Sequence, residues 1–411
     1  MAELGSSPGS RTATIIRGLG SGVGILSAAA SHMTMDDWDG LFHRHVQHVR
    51  LCGSVVEPLI DWSACPGATR RFTDDTQAVK AIRRSRHFAS FRGAAEAARS
   101  AGLRIVLNPM HQLFTLEISA STLRWVWLAM LAEFNATHWR PETVVFELAN
   151  EPGNWNNHSV SQGLFSDLLP PLVSLISRVQ PTRVLIIGGE MGYRQDSSPD
   201  TYVNSGPALI RDAPALRQLA ESGAHVAATF HFYRPRAFTN QGFPEVAVPQ
   251  ARWLGSPSDI ADLNAQFQAI RQALEPVPIY LGEFGVNVNF IPNRTDAMTW
   301  LKVVRGLSVS HGMTWSFWTY FMSPKGVSNA RNAKERLQQW DCSDLITVLF
   351  DTSRRDRPSS GCHVVNRNQQ PAIADAFLQA RNFGGGSGPC RDRRPLYAVQ
   401  RLAQRPELWR Q

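Results

Sequence analysis

The residues in this chain best suited to chemistry are two glutamates that each close an apolar run. In Val144-Val-Phe-Glu-Leu-Ala-Asn-Glu-Pro152 the run of β-branched, aromatic and aliphatic residues ends in Asn150 and Glu151; in Pro278-Ile-Tyr-Leu-Gly-Glu-Phe-Gly285 a similar run ends in Glu283. Both read as buried strands with a carboxylate at the tip. Pro152 has no N–H to give to a ladder, so the first of these strands is expected to stop there and leave Glu151 at its C-terminal edge. Either glutamate alone could be an ordinary solvated loop residue. As a pair on one rim they are the minimum apparatus for cleaving a glycosidic bond, one protonating the leaving oxygen and the other attacking the sugar or activating water. Arg50 lies in the apolar run His48-Val-Arg-Leu51, where a buried guanidinium needs a partner. Glu147 shares strand parity with Glu151 and is expected to pair with Arg50 as structural support.

The elements that must position these groups follow from the hydrophobic pattern. Residues 13–18 read as the first strand, and the Gly/Ser-rich residues after them as its rim loop. A helix over 36–45, a strand over 48–51 and a helix over 76–101 closed by Gly102 come next, then a third strand from Leu103 with His111 just past its end. Residues 120–135 carry Leu, Trp and Phe at helical spacing, with Trp125 and Trp127 expected to pack. Beyond the Glu151 strand, a helix over 161–179 should be kinked or split by Pro170 and Pro171. Residues 184–188 form the fifth strand, and 226–233 the sixth, which delivers His231 and Tyr233 to one face. A helix begun by Ser258 or Asp259 and ending at Leu274, the Glu283 strand, a helix over 296–310 and a strand over 311–318 complete the series. Eight strands alternating with helices predict an α/β protein with a (β/α)₈ TIM barrel. A long insertion over 323–370 follows the last strand, and a closing helix is expected over 372–380. The catalytic barrel is placed at 1–381, and a Gly-rich linker with an Arg-rich C-terminal tail at 382–411.

Composition narrows the function. With 411 residues, 43% hydrophobic and 18% charged, the chain has room for a large core and shows neither a disordered composition nor a membrane span. The net charge of +8 comes almost wholly from arginines spread through helical stretches, without the aromatic interleaving of a nucleic-acid groove. His43, His45 and His48 are spaced so that they do not share one helical face, and they read as surface histidines rather than a metal cluster. Cys52, Cys65, Cys342, Cys362 and Cys390 contain no Cys-x-x-Cys pair, so zinc is not expected, and a bridge among the last three would suit an exported protein. No cofactor is expected. The N-terminal residues have no continuous apolar segment before Ala28 to Ala30, so any export signal is read as missing.

With these residues assembled, the chain resembles family 5 glycoside hydrolases, the cellulase-type family of retaining (β/α)₈ enzymes, over residues 15–381. The resemblance rests on His48-Val-Arg50-Leu51, His111, Asn150-Glu151-Pro152, His231-Phe-Tyr233, Gly282-Glu283-Phe284-Gly285 and Trp318. Two departures are visible: Pro109 and Met110 replace a single residue before His111, and Cys52 stands where a proline often follows the second strand.

The resemblance implies that Glu151 is the general acid/base and Glu283 the nucleophile. Arg50 and the Tyr233 hydroxyl are expected to favour the ionised form of Glu283, which leaves the proton on Glu151. Asn150 is expected to bind the sugar 2-hydroxyl, His111 and His231 to bind hydroxyls or orient the glutamates, and Trp318 to offer an apolar face to the pyranose. Trp155, Phe238 and Trp253 are candidate linings of further subsites. The leading reading is an endo-β-1,4-glucanase, active as a monomer and exported, on a β-linked polysaccharide or oligosaccharide. The same chemistry on mannan, xyloglucan, β-1,3-glucan or a glycolipid, and a non-catalytic carbohydrate-binding barrel, are the alternatives. An aldolase-type phosphate barrel is disfavoured because Lys80, Lys302, Lys325 and Lys334 all lie away from strand ends.

Overall fold

The computed structural model describes residues 8–30, 33–43, 45–61, 68–70, 72–110, 120–152, 164–189, 206–239, 241, 251–286, 291 and 293–318. Eight parallel strands close on themselves in the order β1 (Ser21–Leu26), β10 (Thr314–Phe317), β9 (Ile279–Phe284), β8 (Val226–Phe232), β7 (Leu185–Gly188), β6 (Val144–Glu147), β5 (Arg104–Asn108) and β2 (His48–Cys52). β3 (Ile60–Asp61) and β4 (Ala68–Thr69) form a separate antiparallel ribbon. Helices follow the barrel strands and bury their apolar faces against the sheet in one large core. This is the TIM barrel that the alternating pattern predicts. His111, the expected insertion over 323–370, the helix over 372–380 and the tail lie outside the described residues.

The first strand is where the sequence reading needs correction. Residues 8–19 form a helix (Pro8–Leu19), and the Gly/Ser-rich segment taken for a loop is β1 itself. Ile15, Ile16 and Leu19 of that helix pack against Val106, Val145, Val184, Ile186, Ala227 and Tyr280 in a second, smaller core. These positions alternate along their strands with residues that face the helices, so the helix plugs the N-terminal end of the barrel. Its side chain and carbonyls are tied in as well: Thr12 Oγ1 lies 3.0 Å from His225 Nδ1, and Thr314 Oγ1 donates to the Ile16 carbonyl. β1 is poor in large residues because its neighbours need the space. A Cβ on Gly22 would sit 2.2 Å from the His48 ring, and one on Gly24 would sit 2.5 Å from Trp318. A strand with glycine at these crowded positions carries no apolar alternation to read.

The helical layer departs from expectation in smaller ways. The helix expected over 76–101 is two, Asp75–Arg83 and Arg86–Ser100, because Ser85 leaves the helix and accepts from the Phe88 amide as a fresh N-cap. Helix Pro257–Leu274 starts one or two residues earlier than read, with Ser256 and Asp259 forming a capping box. Pro170 and Pro171 sit in the first turn of helix Leu169–Val179, where a missing N–H is harmless, and a π-helical turn (Leu164–Leu168) precedes them. Helix Gly206–Glu221 was not predicted, and Pro214 lies within it. None of the helices among the described residues is long and apolar enough to cross a membrane.

His48 is not a surface residue. It is fully buried inside the barrel, with Nδ1 3.1 Å from the Leu19 carbonyl and Nε2 2.9 Å from the Tyr280 hydroxyl. A carbonyl can only accept, so Nδ1 carries the proton and Nε2 accepts from Tyr280. Burial, against the Leu19 hydrogen bond and with help from Arg104 and Arg50, pushes the His48 pKa down from 6.5 to about 3. The unfolded chain therefore binds a proton that the fold refuses, and stability drains away as pH falls from 6.5 towards 3. The expected slope from this residue is about 1.4 kcal/mol per pH unit inside that window. Urea unfolding at several pH values should show the slope in the native chain and a shallower one in His48→Gln; parallel slopes would contradict the assignment.

Candidate active site

The site is built on Arg50, which β2 carries into the barrel with no exposure to solvent. All three guanidinium nitrogens are used. Nε donates to Glu147 Oε2 at 2.5 Å, and Nη2 donates to Glu147 Oε1 at 2.6 Å, a two-point fork. Nη1 donates to Glu283 Oε1 at 2.6 Å, and Nη2 also reaches Asn150 Oδ1 at 2.7 Å. The pairing expected between Arg50 and Glu147 is thus present. Burial opposes the Arg50 charge, but Cys52, Glu147 and Glu283 outweigh it and hold the guanidinium pKa well above its ordinary value. The contact to Asn150 also orients its amide: the oxygen faces Arg50 and the nitrogen is turned away, because a guanidinium only donates.

Glu283 reaches this site through an irregularity that strand parity alone does not predict. On β9, Tyr280 belongs to the inner core and Leu281 to the outer one, so regular alternation would turn Gly282 inward and Glu283 outward. The register slips on both sides of β9: Phe230 pairs with Leu281 but His231 with Glu283, and Trp315 pairs with Leu281 but Phe317 with Phe284. The extra residue is a β-bulge, which turns Glu283 toward Arg50 and sends Phe284 out among Trp300, Trp315 and Phe317. Glycine is needed at 282, since a Cβ there would lie 2.6 Å from Thr229 Oγ1 and 3.2 Å from His231 Nε2. The sequence signal for this was the glycine directly before the glutamate.

Glu151 is placed differently. The β6 ladder ends at Glu147, earlier than Pro152 suggested, and the chain continues as an ordered rim segment. Leu148 N bonds to Ile186 O, Asn150 N to Met110 O, and Trp127 Nε1 donates to the Leu148 carbonyl at 3.1 Å. Glu151 itself has φ of 41°, a left-handed conformation that carries strain of order 1–3 kcal/mol in a residue with a side chain. Its Oε1 lies 2.6 Å from His231 Nδ1, and the same nitrogen is 3.5 Å from Glu283 Oε2. Burial works against a charged His231, yet Glu283 and Glu151 outweigh it and hold its pKa above the ordinary value. Tyr233 Oη donates to Glu283 Oε2 at 2.8 Å, and burial, reinforced by the Glu283 charge, holds that hydroxyl far above its usual pKa, so it stays a donor.

The structure therefore joins Arg50, Asn150, Glu151, His231, Tyr233 and Glu283 in one network of hydrogen bonds and ion pairs, the two halves meeting where His231 Nδ1 lies 3.5 Å from Glu283 Oε2. Trp318, half-buried beyond β10, has its ring 5.9 Å from the Arg50 guanidinium carbon and is held by its amide to the Phe284 carbonyl. His111 and Trp155 lie outside the described residues. Two expected subsite residues are excluded: Phe238 and Trp253 are buried, packed on each other at 6.4 Å, and show no face to solvent. Among the described residues, the one group of His, Cys, Asp and Glu close enough to share a cation is Glu151, His231 and Glu283, whose ligand atoms lie within 4.8 Å of one another. Arg50 already supplies positive charge to that group. Cys52, the one cysteine among the described residues, is buried and outside any disulfide, its thiol donating to the Arg50 carbonyl at 3.8 Å.

Residues 69–321 match the family model described as Cellulase (glycosyl hydrolase family 5). Endoglucanase H of Acetivibrio thermocellus is 28% identical over 182 residues, which is 44% of this chain but only 17% of that protein. A hyperthermophilic endo-β-1,4-glucanase, solved in complex with substrate, superposes with a TM-score of 0.58 at 17% identity, covering 84% of this chain and 100% of that one. Thermotoga maritima Cel5A, solved with cellobiose and with mannotriose, gives 0.57 at 20% identity over the same shares. At such identity these two structural likenesses show the barrel fold.

Removing Arg50 tests the network. Arg50→Leu would leave Glu147 buried without its cation, and a stability loss of about 3–5 kcal/mol is expected by urea denaturation. A loss below about 1 kcal/mol, the scale of an exposed pair, would contradict the buried ion pairs described here.

Proposed function

We propose, from the premise that the chain belongs to glycosyl hydrolase family 5, the cellulases, that it hydrolyses internal β-1,4-glucosidic bonds with retention of anomeric configuration. A glycoside hydrolase of this family needs two carboxyls across one glycosidic bond, and the observation that carries the reading is the meeting of Glu151 and Glu283. Their ligand oxygens lie within 4.8 Å of one another. That is close to the separation of about 5–5.5 Å used for direct attack and well short of the roughly 6.5–9.5 Å that seats a water between the two groups.

In the first half-reaction Glu283 attacks the anomeric carbon as the bond to the leaving oxygen breaks, and Glu151 gives that oxygen its proton. Arg50 and Tyr233, one on each oxygen of Glu283, hold the carboxylate in place and favour its anionic form. In the second half-reaction the charge on Glu283 is gone into the ester, Glu151 takes a proton from water, and the hydroxide oxygen replaces Glu283 at the same carbon. His231 bridges the two carboxyls and fixes the direction of Glu151. Asn150, its amide oxygen occupied by Arg50, presents its nitrogen end to the sugar 2-hydroxyl, a contact that strengthens as the ring gains oxocarbenium character. Trp318 stacks beneath the pyranose.

Endo action on β-1,4-glucan is supported by the names of the relatives, Endoglucanase H and the endo-β-1,4-glucanase structure. β-Mannan is the second glycan, because one barrel neighbour was solved with mannotriose as well as with cellobiose.

Product analysis on carboxymethylcellulose, mannan, xyloglucan and β-1,3-glucan, with the first-formed anomer read by NMR, tests the reading. The expected result is preferential cleavage of the β-1,4-glucan with the β-anomer released first; Glu283→Gln and Glu151→Gln should each lower kcat by at least about 1,000-fold. Initial release of the α-anomer would overturn retention, and undiminished turnover in Glu283→Gln would remove it as the nucleophile.

A further inference from the structure

Glu147 is a carboxylate that the proposed reaction does not use, although it holds the same guanidinium as the nucleophile. It has no solvent exposure, and both of its oxygens are engaged by Arg50, at 2.5 and 2.6 Å. Arg50 meets Glu283 with its remaining nitrogen at 2.6 Å. The assembly is thus a buried chain of acid, base and acid, two potential anions on one cation.

Such a chain has two consequences for the attacking group. A fork that grips Nε and Nη2 leaves the guanidinium plane no rotational freedom, so Nη1 can approach Glu283 from one direction only. A cation shared between two anions also neutralises neither completely. Glu283 alone with Arg50 would be a closed ion pair, well held but a poor electron donor. With Glu147 drawing on the same charge, Glu283 is held and keeps more of its basicity. Interactions between these groups are little weakened by solvent, since Arg50 and Glu147 are fully buried and Glu283 is 5% exposed.

We propose that Glu147 is a positioning residue for glycoside cleavage, aiming Arg50 and sharing its charge so that Glu283 is oriented without being quenched. This rests on the reading of Glu283 as nucleophile. The other titratable groups facing the assembly are His48 and Cys52 on β2, Tyr280 on β9, His231 and Tyr233 from the end of β8, and Glu151 on the rim after β6. His48 is neutral across the working range, and the phenols of Tyr233 and Tyr280 stay protonated, both chiefly through burial. The carboxylates in direct contact with Arg50 among the described residues are Glu147 and Glu283.

The test is the pH profile of kcat/KM on an aryl β-cellobioside for the native chain, Glu147→Gln and Glu147→Asp, each counted by active-site titration with a 2-fluoro glycoside so that unfolded protein does not enter the rate. Glu147→Gln removes charge but can still accept a hydrogen bond. It is expected to lower kcat by about 10- to 100-fold with KM little changed, and to move the acid limb to lower pH by about one unit. Glu147→Asp keeps charge on a shorter arm, and should lose kcat while its acid limb stays with that of the native chain. An acid limb unmoved in Glu147→Gln, or moved as far in Glu147→Asp, would overturn the proposal and leave Glu147 a packing residue. If Glu147→Gln yields no folded protein, the acid limb of Glu147→Asp decides alone: coincidence with the native limb supports charge sharing, and displacement overturns it. A native chain that cleaves no β-glycoside would instead sink the reading of the site as a glycosidase, so the two failures are distinguishable.

Discussion

A guanidinium without access to water must be matched by negative charge, and in this barrel that requirement organises the site. Arg50 enters from β2 and is met by Glu147 from β6 and Glu283 from β9, strands that lie well apart around the barrel. Leaving any member unpaired in the interior would be strongly unfavourable, so the three side chains fix one another. What stability alone would obtain as readily from apolar packing is here spent on orientation. The two oxygens of Glu283 have separate partners, Arg50 and Tyr233, and its direction is therefore determined before any sugar arrives.

The rest of the fold makes room for that arrangement. Helix Pro8–Leu19 closes the far end of the barrel with an apolar plug, and His48 and Tyr280 form the polar layer between the plug and Arg50. Gly22 and Gly24 give up side chains so that His48 and Trp318 can occupy the interior. The bulge at Gly282 turns an otherwise outward glutamate to the inside. Glu151, by contrast, is aimed from a strained rim residue held by the His231 ring. One carboxylate is fixed by a rigid strand and a buried cation and the other by a rim segment that a histidine orients, a division that fits the roles proposed for them, nucleophile and acid/base.

Much of this was legible in the sequence, for identifiable reasons. Apolar runs ending in Asn150-Glu151-Pro152 and in Gly282-Glu283 announce strands with charged tips, and Arg50 in an apolar strand announces the need for Glu147. Strand β1 was hidden because its inward positions are glycines, chosen by the bulk of His48 and Trp318 from other strands, and local pattern does not record what a distant ring demands. The same segment's neighbour, residues 13–18, has strand composition but ends as a helix because Ile15, Ile16 and Leu19 fit the open end of the barrel. His48 looked like a surface residue by spacing among His43 and His45, whereas the tertiary partners Leu19 and Tyr280 decide its place. Phe238 and Trp253 satisfy each other in the core, a pairing that sequence position in rim loops cannot reveal.

The central claim is that Glu283 makes a covalent bond to the sugar while Glu151 manages the proton. Incubation with an activated 2-deoxy-2-fluoro β-cellobioside, which slows release of the glycosyl-enzyme, followed by proteolysis and mass spectrometry, tests it at the level of a single residue. One fluoroglycosyl group per chain, on the peptide containing Glu283, is the predicted result. A label on another carboxylate, or turnover of natural substrate by a chain that never carries the label, would contradict it.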